Sequence, residues 1–207
     1  MNKNIIFKVV GGVIVLLGVL FVLNQQVVQP MLNDRMVDAV VKMPVVVDEY
    51  KFGFTYPSGV EGFAMVEPPV ATTSQSLQKA YLLFENSQYR EYLTAQEGMQ
   101  TPPVVSVFVF ALPEKSPTDT GGRSERLMEW IDNNPQYASF HKKVGDVTEV
   151  DIDGLTAIKY STEGIYKQDF HIVSYSGNAY VFAGQYENVD DPHVEMYTNL
   201  INSVTFY

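Results

Sequence analysis

The sequence contains no cysteine, which removes disulfides, thiolate metal ligands, a cysteine nucleophile and a lipid-modified cysteine together. A chain of 207 residues must then hold through its core alone, which is feasible at this length. Basic residues are scarce: 14 Lys and Arg stand against 24 Asp and Glu, for a net charge of −10. Lys3 and Lys8 are the only charges before residue 31, so the rest of the chain carries about −12. Such a surface excludes nucleic acid as a partner, because neutralising phosphates takes clustered Lys and Arg. It is also repelled by anionic lipid headgroups. Catalytic signatures are missing as well: there is no G-x-S-x-G, H-E-x-x-H, P-loop or G-x-G-x-x-G. The three histidines, His141, His171 and His193, are scattered and lack metal-ligand spacing. His171 reads as a structural residue inside a strand, and His193, just after Pro192, as a surface residue. No catalytic residue, no metal site and no cofactor is expected.

What the sequence does have begins with a long apolar run. Between Ile5 and Leu23 the only charge is Lys8. A helix rising about 1.5 Å per residue needs about 20 residues to cross a hydrocarbon core of about 30 Å, and Lys8 can snorkel back to the headgroups. The segment that follows, Asn24-Gln-Gln-Val-Val-Gln29, lacks the small residues of a cleavage site. Residues 1–28 therefore read as an uncleaved signal anchor, in preference to a cleaved signal peptide or a buried soluble helix. With Lys3 and Lys8 ahead of the run, the positive-inside rule puts the N-terminus in the cytoplasm and the remainder outside. The expected partner of residues 5–23 is the membrane. Residues 29–49 read as a tether, interrupted by Pro30 and closed by Pro44, with Leu32, Met36, Val37, Val40 and Val41 at roughly helical spacing.

Residues 50–207 read as one extracytoplasmic domain. Tyr50, Phe52, Phe54 and Tyr56 alternate, which predicts a half-buried strand stopped by Pro57-Ser-Gly59. Strands are expected at Phe63–Val66, at Leu77–Phe84 and, centrally, within Pro102–Leu112, with a weak helix over Glu85–Gln96. Pro113–Arg123 is a loop. Ser124 is placed to cap a helix that buries Leu127, Met128 and Ile131, with Trp130 beside them. Asp153-Gly154 joins Val147–Ile152 to Leu155–Tyr160, and Ser176-Gly-Asn178 joins Asp169–Tyr175 to Ala179–Tyr186, as two hairpins. Asp191-Pro192 opens a last helix with Val194, Tyr197, Leu200 and Ile201 on its apolar stripe, before a strand at Val204–Phe206. The predicted class is α+β, with helices on the faces of a mainly antiparallel sheet.

Two groups in this domain bear on function. Tyr160, Tyr166, Tyr175, Tyr180 and Tyr186 crowd the hairpins and offer a candidate partner or ligand surface, although core packing uses the same residues. Glu149, Asp151 and Asp153 alternate along one strand into its turn and form a candidate cation site. A solvated strand face with a turn aspartate explains the same pattern, and the EF-hand spacing is only partly matched.

Phe52-Gly-Phe-Thr-Tyr-Pro-Ser-Gly59, the hairpins between Val147 and Tyr186, and the ending Tyr197-Thr-Asn-Leu-Ile-Asn-Ser-Val-Thr-Phe206 together resemble the PsbP-like fold. That resemblance implies an α/β/α sandwich around an antiparallel sheet. It also implies an accessory protein attached to a membrane complex outside the cytoplasm, without catalytic residues; it carries over no individual site residue. The expected function is a membrane-anchored, non-enzymatic accessory or protein-interaction domain. The alternative is a small-ligand or glycan-binding domain that uses the tyrosine-rich sheet face and the Pro113–Arg123 loop.

Overall fold

The computed structural model describes residues 41–70, 76–94, 100–113 and 122–207. The predicted anchor over residues 5–23 lies outside them, as do residues 29–40 of the predicted tether. Among the described residues no helix is long and apolar enough to cross a membrane.

In chain order the strands are β1 (Val41–Val47), β2 (Phe52–Ser58), β3 (Phe63–Val66), β4 (Leu77–Glu85), β5 (Val105–Ala111), β6 (Lys143–Ile152), β7 (Leu155–Glu163), β8 (Lys167–Tyr175), β9 (Asn178–Tyr186) and β10 (Thr205–Phe206). The helices are α1 (Tyr89–Thr94), α2 (Arg123–Asn133), the single turn α3 (Pro135–Ala138) and α4 (Pro192–Ser203). Two antiparallel sheets result, one in the order β1-β2-β10 and one in the order β3-β4-β5-β9-β8-β7-β6.

The long sheet is buried on both faces in its centre, which is why β5, β8 and β9 read as nearly continuous apolar runs. On one face, Phe182, Val107, Val173 and Tyr180 pack with Phe52 and Phe54 of β2 and with Met196, Tyr197 and Leu200 of α4. On the other, Phe110, Ile158, Phe170, Ile172 and Val181 pack with Leu127, Trp130 and Ile131 of α2. The alternation of side chains along a strand thus feeds two separate cores. The α+β class holds, with the small sheet sharing one outer layer with α4.

The turns follow from backbone chemistry. Asp153 and Gly154 have φ of 51° and 77°, and Ser176 and Gly177 have 47° and 81°. Both pairs are two-residue loops with positive φ at each central position, the twist that suits a hairpin. A third hairpin, unmarked by a tight turn pair in the sequence, links β7 to β8 from Glu163 to Lys167. The meander therefore has longer strands than the sequence alone suggests.

Other differences are local. Val41–Val47, expected at the end of the tether, is a strand paired with β2 from Val41↔Ser58 to Val47↔Phe52. Pro44 does not prevent this, because β1 is an edge strand among the described residues. α2 starts at Arg123 with Gly122 as its N-cap, and not at a Ser124 cap; Glu125 Oε2 accepts the Gly122 N–H at 2.9 Å. The residues described between Glu85 and Gln96 are helical only over Tyr89–Thr94, since β4 runs on through Glu85. At α4 the predicted cap is present: Asp191 Oδ1 accepts the His193 N–H at 2.9 Å.

Candidate functional site

The hairpin tyrosines do not form one surface. Tyr160 on β7 is 2% exposed and lies in the α2-side core, stacked on Phe170 with ring centroids 5.0 Å apart. Its hydroxyl donates to the Ala138 carbonyl at 2.6 Å, tying α3 to the sheet. Tyr180 on β9 is fully buried in the opposite core and donates to the Tyr50 carbonyl at 2.6 Å. Burial raises the pKa of both phenols, with Asp132 adding at Tyr160. Tyr175 is half-buried against Phe206 and bonds the Tyr207 carbonyl at 3.3 Å. Tyr166 sits in the β7–β8 turn, where its hydroxyl donates to the Thr101 carbonyl and accepts from Gln100, both at 2.8 Å. Tyr186 is half-buried, its phenol pushed up by burial and by Asp169 beside it. Strand parity is the cause: Tyr160 pairs with Phe170 and Tyr180 with Val173, on opposite pleats of the same sheet.

The three carboxylates also separate. Glu149 and Asp151 lie on one face of β6, opposite Ile158 and Thr156. Asp151 Oδ1 accepts the Gly154 N–H at 3.0 Å, closing its own turn. Asp153, turned by its positive φ, reaches the other face and accepts the Phe206 N–H at 2.7 Å. Among the described residues no three His, Cys, Asp or Glu side chains are grouped to hold a metal ion. Glu149 instead faces Glu125, Glu129 and Asp132 across an open, acidic groove between β6 and α2.

The histidines divide three ways. His141 is exposed. His171 is buried, as its place in a strand suggests, with Nδ1 2.8 Å from the Tyr197 hydroxyl. Burial pushes this imidazole down to about 4; the Lys159 ammonium lowers it further and Asp169 opposes. His193, expected at the surface, is 1% exposed. The first turn of α4 presses it edge-on against Phe63 at 5.1 Å, and its Nδ1 lies 2.7 Å from Asp191 Oδ1. A proline-opened helix reads as solvent-facing from sequence, and the neighbouring strand β3 that covers it is not visible locally.

What the fold does gather is a pocket of about 230 Å³ between α2 and the ends of β5 and β8. Leu112, just past β5, and Ser174 of β8 line it on one side, and Leu127, Trp130, Arg123 and Arg126 of the helix on the other. On β8 the α2-facing positions run Phe170, Ile172, Ser174, so an apolar row ends in a hydroxyl where it meets the pocket. Trp130 is held by Phe110, with centroids 5.0 Å apart, and the Trp130 carbonyl accepts from Asn134 Nδ2 at 2.8 Å. Residues 114–121 of the predicted Pro113–Arg123 loop lie outside the described residues, and Arg126 was not marked by the sequence, because its position means little until α2 is docked on the sheet.

The chain matches no family model and no curated protein. Among solved structures it is similar to cyanobacterial PsbP (CyanoP) from Synechocystis sp. PCC 6803, solved in solution, with a TM-score of 0.50 and 14% identity over 83% of this chain and 95% of that one. A crystal structure from Bacteroides thetaiotaomicron VPI-5482 aligns at a TM-score of 0.39 and 10% identity, over 82% of this chain and 49% of that one. The first likeness shows a PsbP-like fold.

Proposed function

We propose that this protein is a membrane-anchored, non-enzymatic accessory domain, displayed outside the cytoplasm, which works by binding a protein partner. The observation that carries the reading is the PsbP-like fold, which fits a non-enzymatic accessory domain. The apolar run Ile5–Leu23 and the two lysines ahead of its core support the anchor and its orientation. The use made of the buried polar groups supports the rest. The hydroxyls of Tyr160, Tyr180 and Tyr197 bond backbone carbonyls that tie layers together, and His171 is held through Nδ1 by the Tyr197 hydroxyl. Groups committed in this way fasten a scaffold.

Membrane fractionation followed by crosslinking of the full-length chain at native abundance tests both halves. The chain is expected to resist carbonate extraction and to crosslink to a discrete protein, while a chain lacking residues 1–28 becomes soluble and stays folded. Recovery of the full-length chain as a soluble, partner-free monomer would defeat the proposal.

A further inference from the structure

We infer that the end of the domain at which β1 begins docks on a neutral lipid surface, with Val60, Ile165 and Val189 inserted as apolar tips. This docking rests on the anchored reading proposed above. Ile165 and Val189 are the two most exposed large hydrophobic residues among those described, at 78% and 74%, and Val60 is 63% exposed. Each stands at the apex of a hydrogen-bonded turn. The Gly62 N–H donates to the Gly59 carbonyl at 3.0 Å around Val60, and the Asp191 N–H to the Asn188 carbonyl at 3.2 Å around Val189. Around Ile165, the Gly164 N–H donates to the Tyr166 carbonyl at 3.1 Å. Such apices ordinarily take Gly, Asn, Asp, Ser or Pro, whose backbone habits and polar groups suit a bend in water. A β-branched aliphatic residue meets neither need. The turns of the opposite end follow the rule, with Asp153-Gly154 and Ser176-Gly177. Tyr207, 50% exposed at that end, has its hydroxyl engaged by Asp48 at 3.2 Å.

Strand register brings the three tips to one end of the fold. Met65, Leu83, Val105, Gly184, Asp169 and Ser161 form one row across the long sheet. Beyond that row, all in the same direction, Val60 lies ahead of β3, Ile165 past β7 and Val189 past β9. β1 begins here too, since Val41 pairs with Ser58, the residue before Gly59. Only residues 24–40 separate Val41 from the apolar run Ile5–Leu23, so chain connectivity keeps this end nearest the anchor.

The turns are braced before they meet anything. The Asn86 N–H donates to the Gly62 carbonyl at 3.0 Å, and the Tyr166 hydroxyl to the Thr101 carbonyl at 2.8 Å. Preorganised tips lose little freedom on insertion. The exposed charges adjoining them are Glu61, Glu163, Lys167, Glu187 and Asp190, four acids to one base. Anionic headgroups are repelled by that balance, so the surface that fits is zwitterionic. Insertion is then driven by the aliphatic side chains, seated about 5–10 Å deep at the boundary of headgroups and acyl chains. Three short tips hold weakly alone, and the anchor supplies the effective concentration that makes them count.

Because the chain has no cysteine, Val60→Cys, Ile165→Cys, Val189→Cys and, at the opposite end, Ser176→Cys each create a single labelling site in the full-length protein. Each variant carries an environment-sensitive fluorophore in phosphatidylcholine vesicles that contain a nitroxide on the acyl chain, with flotation reporting the anchor. The three tip labels are expected to emit at shorter wavelength and to lose about half of their emission or more to the nitroxide, and the Ser176 label to do neither. Ile165→Asp with Val189→Asp should return the Val60 label to water, and partial replacement by an anionic lipid should weaken the quenching. The inference falls if the tip labels stay in water on floating vesicles, which would leave the tips to a protein partner, or if the Ser176 label is quenched as strongly. It falls equally if the Val60 label stays quenched in the folded double variant, or if anionic lipid strengthens the quenching. A chain that does not float defeats the anchored reading, and the docking with it.

Discussion

His171 Nδ1 lies 2.8 Å from the Tyr197 hydroxyl, and that hydroxyl donates onward to the Phe182 carbonyl at 3.0 Å. One phenol thus joins three elements, β8, α4 and β9. Its single proton goes to Phe182, so its oxygen accepts, and His171 carries its hydrogen on Nδ1. Tyr197→Phe leaves the imidazole N–H and one lone pair of the carbonyl without this partner in a buried site. The expected loss is roughly 1–3 kcal/mol for each group left unsatisfied, with the m-value unchanged. Urea titrations of the two proteins check this, and a difference within about 0.5 kcal/mol would show that α4 is held by apolar contact alone.

The same phenol ring needs a gap in the sheet, and Gly184 supplies it. A Cβ placed on Gly184 would stand 2.5 Å from Tyr197 Cγ and 2.8 Å from Cδ2. Both atoms belong to a ring anchored at its far end by two hydrogen bonds, so it has little freedom to retreat. Gly184→Ala should cost about 1–3 kcal/mol or more through overpacking. Combined with Tyr197→Ala, which clears the space, it should cost much less than on its own. A double-mutant cycle reads the coupling directly. Additive losses would mean that Gly184 matters for some reason other than Tyr197.

His171 also makes stability depend on pH in a defined window. Unfolded, the imidazole takes a proton near pH 6.5; folded, burial and Lys159 hold it back until about pH 4. Between these values the unfolded chain binds the extra proton, so stability falls as pH falls, and the contribution is complete above about 6.5. The shift corresponds to roughly 3 kcal/mol, levelling off below about pH 4. Since the domain holds many carboxylates, the wild type should be compared with His171→Phe across pH 7.5 to 4.5. Removing the imidazole should flatten the profile by a few kcal/mol in that range. Parallel profiles would place the acid sensitivity elsewhere.

These positions mark how far the sequence could be read. Asp153-Gly154 and Ser176-Gly177 were legible because turn chemistry is local, and so was the Asp191 cap of α4. β5 was legible as a central strand because burial on both faces imposes an unbroken apolar run. β1 was not, since Pro44 and an adjoining segment of helical spacing obscured a strand that forms only because β2 offers a register. The tyrosines were legible as a group but not as two opposed faces, because that assignment depends on pairings set by the β7–β8 hairpin. The arginine pocket was illegible for a related reason: it exists only where α2 crosses the strand ends.

Pro44 carries the last prediction. Among the described residues the small sheet leaves β1 as an edge, and Val41, Met43 and Val46 on it are 51%, 42% and 66% exposed. An apolar edge strand is a template for adding another chain. Pro44 pairs with Thr55, whose N–H and C=O both turn away from β1 toward the Ser203 hydroxyl, at 2.8 and 3.3 Å. In an antiparallel pair the two residues then point away from each other, so the backbone of Pro44 faces the open edge. Its missing N–H interrupts that edge midway between the outward groups of Lys42 and Val46. Pro44→Val restores the donor and should bring concentration-dependent self-association, read by sedimentation velocity in one detergent for both proteins, with little change in monomer stability. Adding Val46→Lys should reverse it, since a charge on the edge opposes strand addition. If Pro44→Val stays monomeric while still folded, edge protection lies in Lys42 and the net negative charge of the domain, and the proline is only tolerated there.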